Sequence, residues 1–456
     1  MIDFLEIYER ALLGPRMIER DFDMKVLIPT LKRVVGDYGI CYDADRPIPH
    51  DDEAADRVFE AAVEFLSRVG VYCTGTNRII GVTREEILQC IREAPGICRV
   101  GEGKDAGTLG MRRPDDPKRP WNHLGSGIVF TDNDLAMKLV EGCARIARAN
   151  SLAVPAMDQI RGMPVSGGTP AELYAAIERV RIGREATRRA GRPGLPILNW
   201  NATAAATVTA IAASAAQFGC RPTDGWLCGA VSEMKIGMEI MNKIAYLLNW
   251  GANVGAETAP ILGGYCGGPA GTAVVSTADI LMGLVVFRGN YQLHFPMHFR
   301  LGCNTSRDLL WVISVSCQAA SRNIPMPVLW NGYCAAGPNT RMYFYESAAW
   351  LLAAIPSGAP GFETPHPARA VKNYGYTPME ARFGVEMAEA AARLTRAEAN
   401  PIALRLLEKY ESQLADAPSG DRYQDCYDAE TGRPRDAYRT LYDEIKEELA
   451  MLGIPF

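Results

Sequence analysis

The chain has 456 residues, 48% hydrophobic and 22% charged, which is enough to bury a large core and unlike disordered or fibrous proteins. A formal net charge of −5 and a pI near 5.7 supply no basic field for nucleic acid. No apolar run reaches the ~18 residues of a membrane span, and the opening MIDFLEIYERALLG lacks the basic-then-apolar pattern of an export signal, so a cytoplasmic protein is expected.

From residue 3 to about 102 the apolar spacing is helical: Phe4, Ile7, Tyr8 and Ala11 recur at three and four, and 51–69 and 83–93 follow the same rule. Residues 71–80 read as a turn-like connector. The charged loop RRPDDPKR, 112–119, closes a mainly helical N-terminal extension over 1–120. Beyond it, short β-like runs alternate with helical patterns. The runs are 127–131, 152–157, 195–199, 225–231, 260–264, 293–299, 326–330 and 351–355. Helical patterns over 133–149, 170–189, 202–217, 232–249, 272–288 and 306–321 separate them. Eight such runs predict an α/β fold, a (β/α)8 TIM barrel over 121–376, with a doubly wound open sheet as the alternative. Three further helices, 377–395, 401–415 and 436–452, make up a C-terminal region, 377–456, that packs on the barrel or on another subunit.

In a TIM barrel, functional groups gather at the C-terminal ends of the strands. The stretch 191–201, GRPGLPILNWN, ends a helix with Gly and Pro, runs apolar, and stops at Asn199, Trp200 and Asn201, which it is expected to deliver to the barrel mouth. Other predicted strand ends supply Asp132, Asp158, Glu257, Tyr265, His298 with Arg300, and Asn331 with Tyr333. Glu257 reads either as a charge partner or acid/base, because burial tunes a carboxyl, or as a capping or surface carboxylate. His294 and His298 are four apart in LHFPMHFR; on a strand they share a face, but no third ligand is evident and no metal site is expected. Trp200, Trp226, Trp330, Tyr265 and Tyr333 suit either a cation or a core. Asn331 and Gly332 also suit an ordinary turn. GGYCGG, 263–268, lacks the GK[ST] ending of a phosphate loop. The twelve cysteines contain no CxxC pair and are expected to be reduced and mostly buried.

Several stretches resemble one family, the corrinoid-dependent monomethylamine methyltransferases: GVYCTGTNRI (70–79), GRPG (191–194), EMKI (233–236), ILGGYCGG (261–268), PMHFR with NTSRD (296–308), AAGP (335–338), MEAR (379–382) and DCYD (425–428). The resemblance spans nearly the whole chain. It implies a TIM barrel that binds a methylated amine at its mouth, where a separate protein carrying a corrinoid (cobalamin) docks and takes the methyl group on cobalt(I). It also implies a homo-oligomer. The family uses pyrrolysine a few positions after GRPG. Here that position is Leu198, or Asn199 if the loop slips by one. Glu257 matches a family glutamate and Tyr333 a family tyrosine, both expected to be catalytic. Asn331 stands where the family has glutamine, Leu227 where a second glutamate is expected, and His294 in place of an acidic residue.

Leucine has no electrophilic imine, so the resemblance leads to a pyrrolysine-free methyltransferase for an already activated methyl group. A quaternary ammonium fits, held by Glu257 with Asn199, Trp200, Trp226, Asn331, His294 and His298, and with Arg300 or His298 pairing any substrate carboxylate. Two alternatives stand beside it: a barrel enzyme doing acid/base chemistry with Glu257 and His298 without cobalt, and a non-catalytic binder of methylated amines.

Overall fold

Seven parallel strands form one sheet: β1 (Trp121–Gly125), β2 (Ser151–Ala153), β3 (Gly225–Gly229), β4 (Asn253–Thr258), β5 (Tyr291–His294), β6 (Val328–Tyr333) and β7 (Gly361–His366), paired in the order β2-β1-β7-β6-β5-β4-β3. The structure, a computed structural model, describes residues 2–201, 206–428 and 430–456. The gap between β2 and β3 is filled by residues 195–200. Leu152 bridges Ile197, and Trp200 bridges Trp226, both in parallel. This eighth stave closes the sheet into a TIM barrel, with helices as crossovers.

The eighth stave carries a bulge. On the β2 side, Leu152 donates to the Pro196 carbonyl and accepts from the Leu198 amide, a regular parallel spacing. On the β3 side, Gly225 donates to the Ile197 carbonyl but accepts from the Trp200 amide, one residue further than a regular ladder allows. The GRPG turn that leads in is clasped by Asp105, which accepts from Arg192 Nε at 2.9 Å and the Gly194 amide at 3.2 Å.

Strand positions differ from the sequence expectation in several places. The first strand is Trp121–Gly125 rather than 127–131, because Asn122 and His123 are buried polar residues that hide the pattern. The run at 260–264 lies past β4; Ile261–Leu262 pairs with Met297–His298 in a separate two-stranded ladder. The run at 351–355 belongs largely to the helix Arg341–Ala354, buried on nearly every side, and the last barrel strand is the polar-looking GFETPH of β7. Residues 71–80 form an antiparallel hairpin, and its first strand also pairs with Lys235–Ile236.

Of the expected crossover helices, Pro170–Arg189 starts where Thr169 accepts from the Glu172 amide and proline occupies the first turn. The pattern at 202–217 gives the helix Thr207–Ala213; 202–205 lie outside the described residues. The N-terminal helix Asp52–Val69 packs on the barrel helices Pro269–Val285 and Arg307–Asn323, and the C-terminal helix Arg396–Tyr410 packs on Arg341–Ala354. A hairpin of Ile97–Val100 and Gly107–Gly110 plugs the N-terminal end of the barrel. Among the described residues no helix is long and apolar enough to cross a membrane.

Candidate active site

Along each strand, alternate side chains face the barrel interior and the helical layer. Toward the N-terminal end the interior is apolar: Trp121, Leu198, Leu227, Tyr291, Leu293 and Leu329 form one buried cluster with Cys98, Val100 and Leu109 of the plugging hairpin. Tyr291 crosses this floor. Its ring lies against Gly225 and Gly255, where any side chain would collide with it, and its hydroxyl donates to the Leu198 carbonyl. Leu198 and Leu227, which stand where the family resemblance implies pyrrolysine and a second glutamate, are thus both part of the apolar floor.

Above the floor the interior turns polar. Asn331 on β6 stands opposite Glu363 on β7, which stands opposite His123 on β1. Asn331 Nδ2 donates to Glu363 Oε2 at 2.8 Å, and His366 Nε2 lies 3.3 Å from Glu363 Oε1. The β6–β7 register shifts between Asn331 and Tyr333. Asn304 staples that irregularity, accepting from the Tyr333 amide at 2.7 Å and donating to the Asn331 carbonyl at 2.9 Å. The Tyr333 ring then stands between Phe295 and His366, with centroids 5.1 and 4.9 Å away.

The charges in this layer are unequal. Burial, with Glu363 adding to it, pushes the Glu257 carboxyl up to about 7, despite opposing help from Lys243 and Arg179. Burial also acts to raise Glu363, but His366, His123 and Arg179 together outweigh it and hold this carboxyl below its usual range. Burial, Glu363 and Glu257 raise the Tyr333 phenol well above its ordinary value, so it stays a donor. Burial lowers the His123 imidazole to about 4 and the Arg179 guanidinium to about 10. Lys243, lowered by burial, donates to the carbonyls of Asn201 at 2.8 Å and Leu227 at 2.6 Å. One carboxylate is therefore firmly ionised and the other poised near neutrality, beside aromatic faces. Such an arrangement can seat a small cation and adjust its own charge to it.

Glu257, Asn331 and Tyr333, inferred from sequence, come together here. Other expected residues do not. Trp200 points into the helical layer: its Nε1 donates to Asp224 at 3.1 Å and its ring lies under Arg184. Trp226 likewise turns outward, donating to Ser214 at 2.9 Å and meeting Trp250 edge-on. Asn199 is spent on Val154, accepting from its amide at 2.9 Å and donating to its carbonyl at 3.1 Å. His294 sits behind the sheet between Thr258 and Ser276, with burial lowering its imidazole to about 3. His298 belongs to the outer ladder, where its Nδ1 accepts from the amides of Arg300 and Leu301, and Arg300 is exposed. His298 Nδ1 is thus committed to backbone amides.

Sequence reasoning missed Glu363, His366, His123, Arg179 and Lys243. GFETPH and WNHLG lacked the apolar runs used to find strands, and a buried cation in the middle of a helix leaves no periodic mark.

The profile of the family described as monomethylamine methyltransferase MtmB matches residues 2–454. Monomethylamine methyltransferase MtmB2 of Methanosarcina acetivorans is 29% identical over 457 residues, covering 100% of this chain and 98% of the relative. MtmB3 of Methanosarcina barkeri is 29% identical over 454 residues, with the same coverage. The crystal structure of the Methanosarcina barkeri monomethylamine methyltransferase superposes with a TM-score of 0.95 at 28% identity, covering 100% of this chain and 99% of that one. The structure of a hydroxylamine complex of MtmB matches equally well. The chain belongs to the monomethylamine methyltransferase MtmB family, a family of methyltransferases.

Proposed function

We propose that this chain moves a methyl group from a small methylated ammonium, best a quaternary one, to the cobalt of a corrinoid held by a partner protein, and that it does so without pyrrolysine. The family supports the reaction class. The observation that carries the finer reading is Leu198, turned inward into the apolar floor beneath Glu257 and Tyr333. A leucine there supplies neither an electrophile nor a polar atom.

The donor must then bring its own activation. In a quaternary ammonium the methyl carbon is bonded to positive nitrogen. As the new carbon–cobalt bond forms, the carbon–nitrogen pair returns to nitrogen and a neutral tertiary amine leaves, with no proton required. The chain's task is to hold and orient the cation. Glu363 provides a standing negative charge, Glu257 ionises as the cation arrives, and Tyr333 with Phe295 offers aromatic surface. Trp200, Trp226 and His294 take no part, being committed to the helical layer.

The test is methyl transfer to cob(I)alamin, with and without a corrinoid partner, across quaternary amines, N-methyl amines and methoxylated compounds. Methylcobalamin formation from quaternary donors is expected. No transfer from any member of the panel refutes the proposal.

A further inference from the structure

The polar layer contains a set of unspent acceptors. Asn331 is 1% exposed, and its Oδ1 has no hydrogen-bond partner although its Nδ2 donates to Glu363. The carboxylate accepts only, which fixes the amide orientation and leaves the oxygen as the free end. His366 is 4% exposed and its Nδ1 also has no partner. Its Nε2 lies 3.3 Å from Glu363 Oε1, outside hydrogen-bond alignment. In the neutral tautomer that keeps its proton on Nε2, toward Glu363, Nδ1 is an acceptor, whereas in the imidazolium both ring nitrogens donate. Glu363 thus stands between two neighbours, turning one free acceptor out of each. Both lie on the strands that carry Tyr333 and the β6–β7 irregularity, beside the proposed methyl-donor site.

Buried acceptors without partners are costly, and native interiors rarely keep them without a reason. A tetraalkylammonium has no N–H or O–H and leaves both acceptors unmet. A cation whose arm ends in a hydroxyl or N–H group meets them while its methylated head stays with Glu257 and Tyr333.

We propose that Asn331 and His366, positioned by Glu363, form a specificity subsite that selects methyl donors bearing a hydrogen-bond donor a short arm away from the cationic nitrogen. This rests on the reading of the barrel mouth as the methyl-donor site. A site built to bond a substrate O–H rejects the analogue lacking it far more strongly than an apolar pocket rejects a missing methylene.

The experiment is titration calorimetry of the full chain with choline and with choline O-methyl ether, which share the cationic head and differ in the O–H. The wild type is expected to bind choline at least ~10-fold more tightly. Asn331→Leu and His366→Leu, shown folded by thermal melting, are expected to bring the two affinities within about twofold by removing an acceptor. General loss of fold would weaken both ligands alike and would not move the ratio. Equal affinities in the wild type, binding of neither compound, or a ratio untouched in both variants overturns the proposal. Should the variants fail to fold, the wild-type ratio alone decides. The titration reads no methyl transfer, so O–H selectivity without any transfer to cobalt removes the methyl-donor reading and leaves a hydroxyl-selective cation site.

Discussion

Replacing Glu257 by glutamine tests whether this carboxyl carries the charge state that the structure gives it. Burial beside Glu363 raises it from its ordinary 4.5 to about 7. The unfolded chain releases this proton near pH 4.5, while the folded chain keeps it to about pH 7. Across that window the folded state binds more protons, so rising pH destabilises it by about 1.4 kcal/mol per pH unit for this one group. The full shift corresponds to roughly 3 kcal/mol by pH 8, trimmed to about 2 because the side chain retains partial access to the mouth. Glutamine does not titrate and escapes the penalty. Glu346 and Glu380, raised to about 7 and about 8 by burial, have the same pH sense but are present in both proteins and cancel in the difference. The assay is paired thermal melts of wild type and Glu257→Gln from pH 4.5 to 8.5. The melting-temperature difference should move in favour of the variant by a few degrees as pH rises from 4.5 to about 7 and level off above that. A flat difference, or one that turns against the variant, refutes the assignment of a proton to Glu257.

Two further substitutions separate floor from pocket. Leu198→Ala should cost about 2–5 kcal/mol by opening a cavity in the apolar floor; an undiminished denaturation midpoint would mean that Leu198 does not pack there. Trp200→Phe should lower stability by about 1 kcal/mol through loss of the hydrogen bond to Asp224, with the affinity for quaternary ammonium ions unchanged by calorimetry. A large loss of affinity would return Trp200 to the pocket.

The fate of the stretch 195–201 shows what a sequence can and cannot convey. Its apolar run between GRPG and the polar NWN marked a strand, and that segment closes the barrel. On a regular strand with Leu198 inward, Trp200 would also face inward. The extra residue between Ile197 and Trp200 reverses that parity and sends the indole to Asp224, and no periodicity announces a bulge. His294 and His298 would share a face on one continuous strand, but β5 ends at His294 and His298 joins another ladder. Asn331 and Tyr333 were legible because they follow the apolar run 326–330, and Glu257 because it stands as a lone carboxylate just before the run 260–264, although its own strand, Asn253–Thr258, was not recognised. Glu363 and His366 were not, since their strand is polar and buried only by virtue of barrel closure, a tertiary fact. The (β/α)8 class survived these local errors because alternation over some 250 residues tolerates a misplaced strand.

The central claim is that this member of the family takes its methyl group from a donor already activated by quaternary charge. Its most direct test is the ratio of kcat/KM for a quaternary ammonium donor to that for monomethylamine in methyl transfer to cobalt, measured on the same preparation. A ratio far above one is expected, with monomethylamine near background. A ratio below one, with monomethylamine the better donor in a chain that has leucine at position 198, would contradict it.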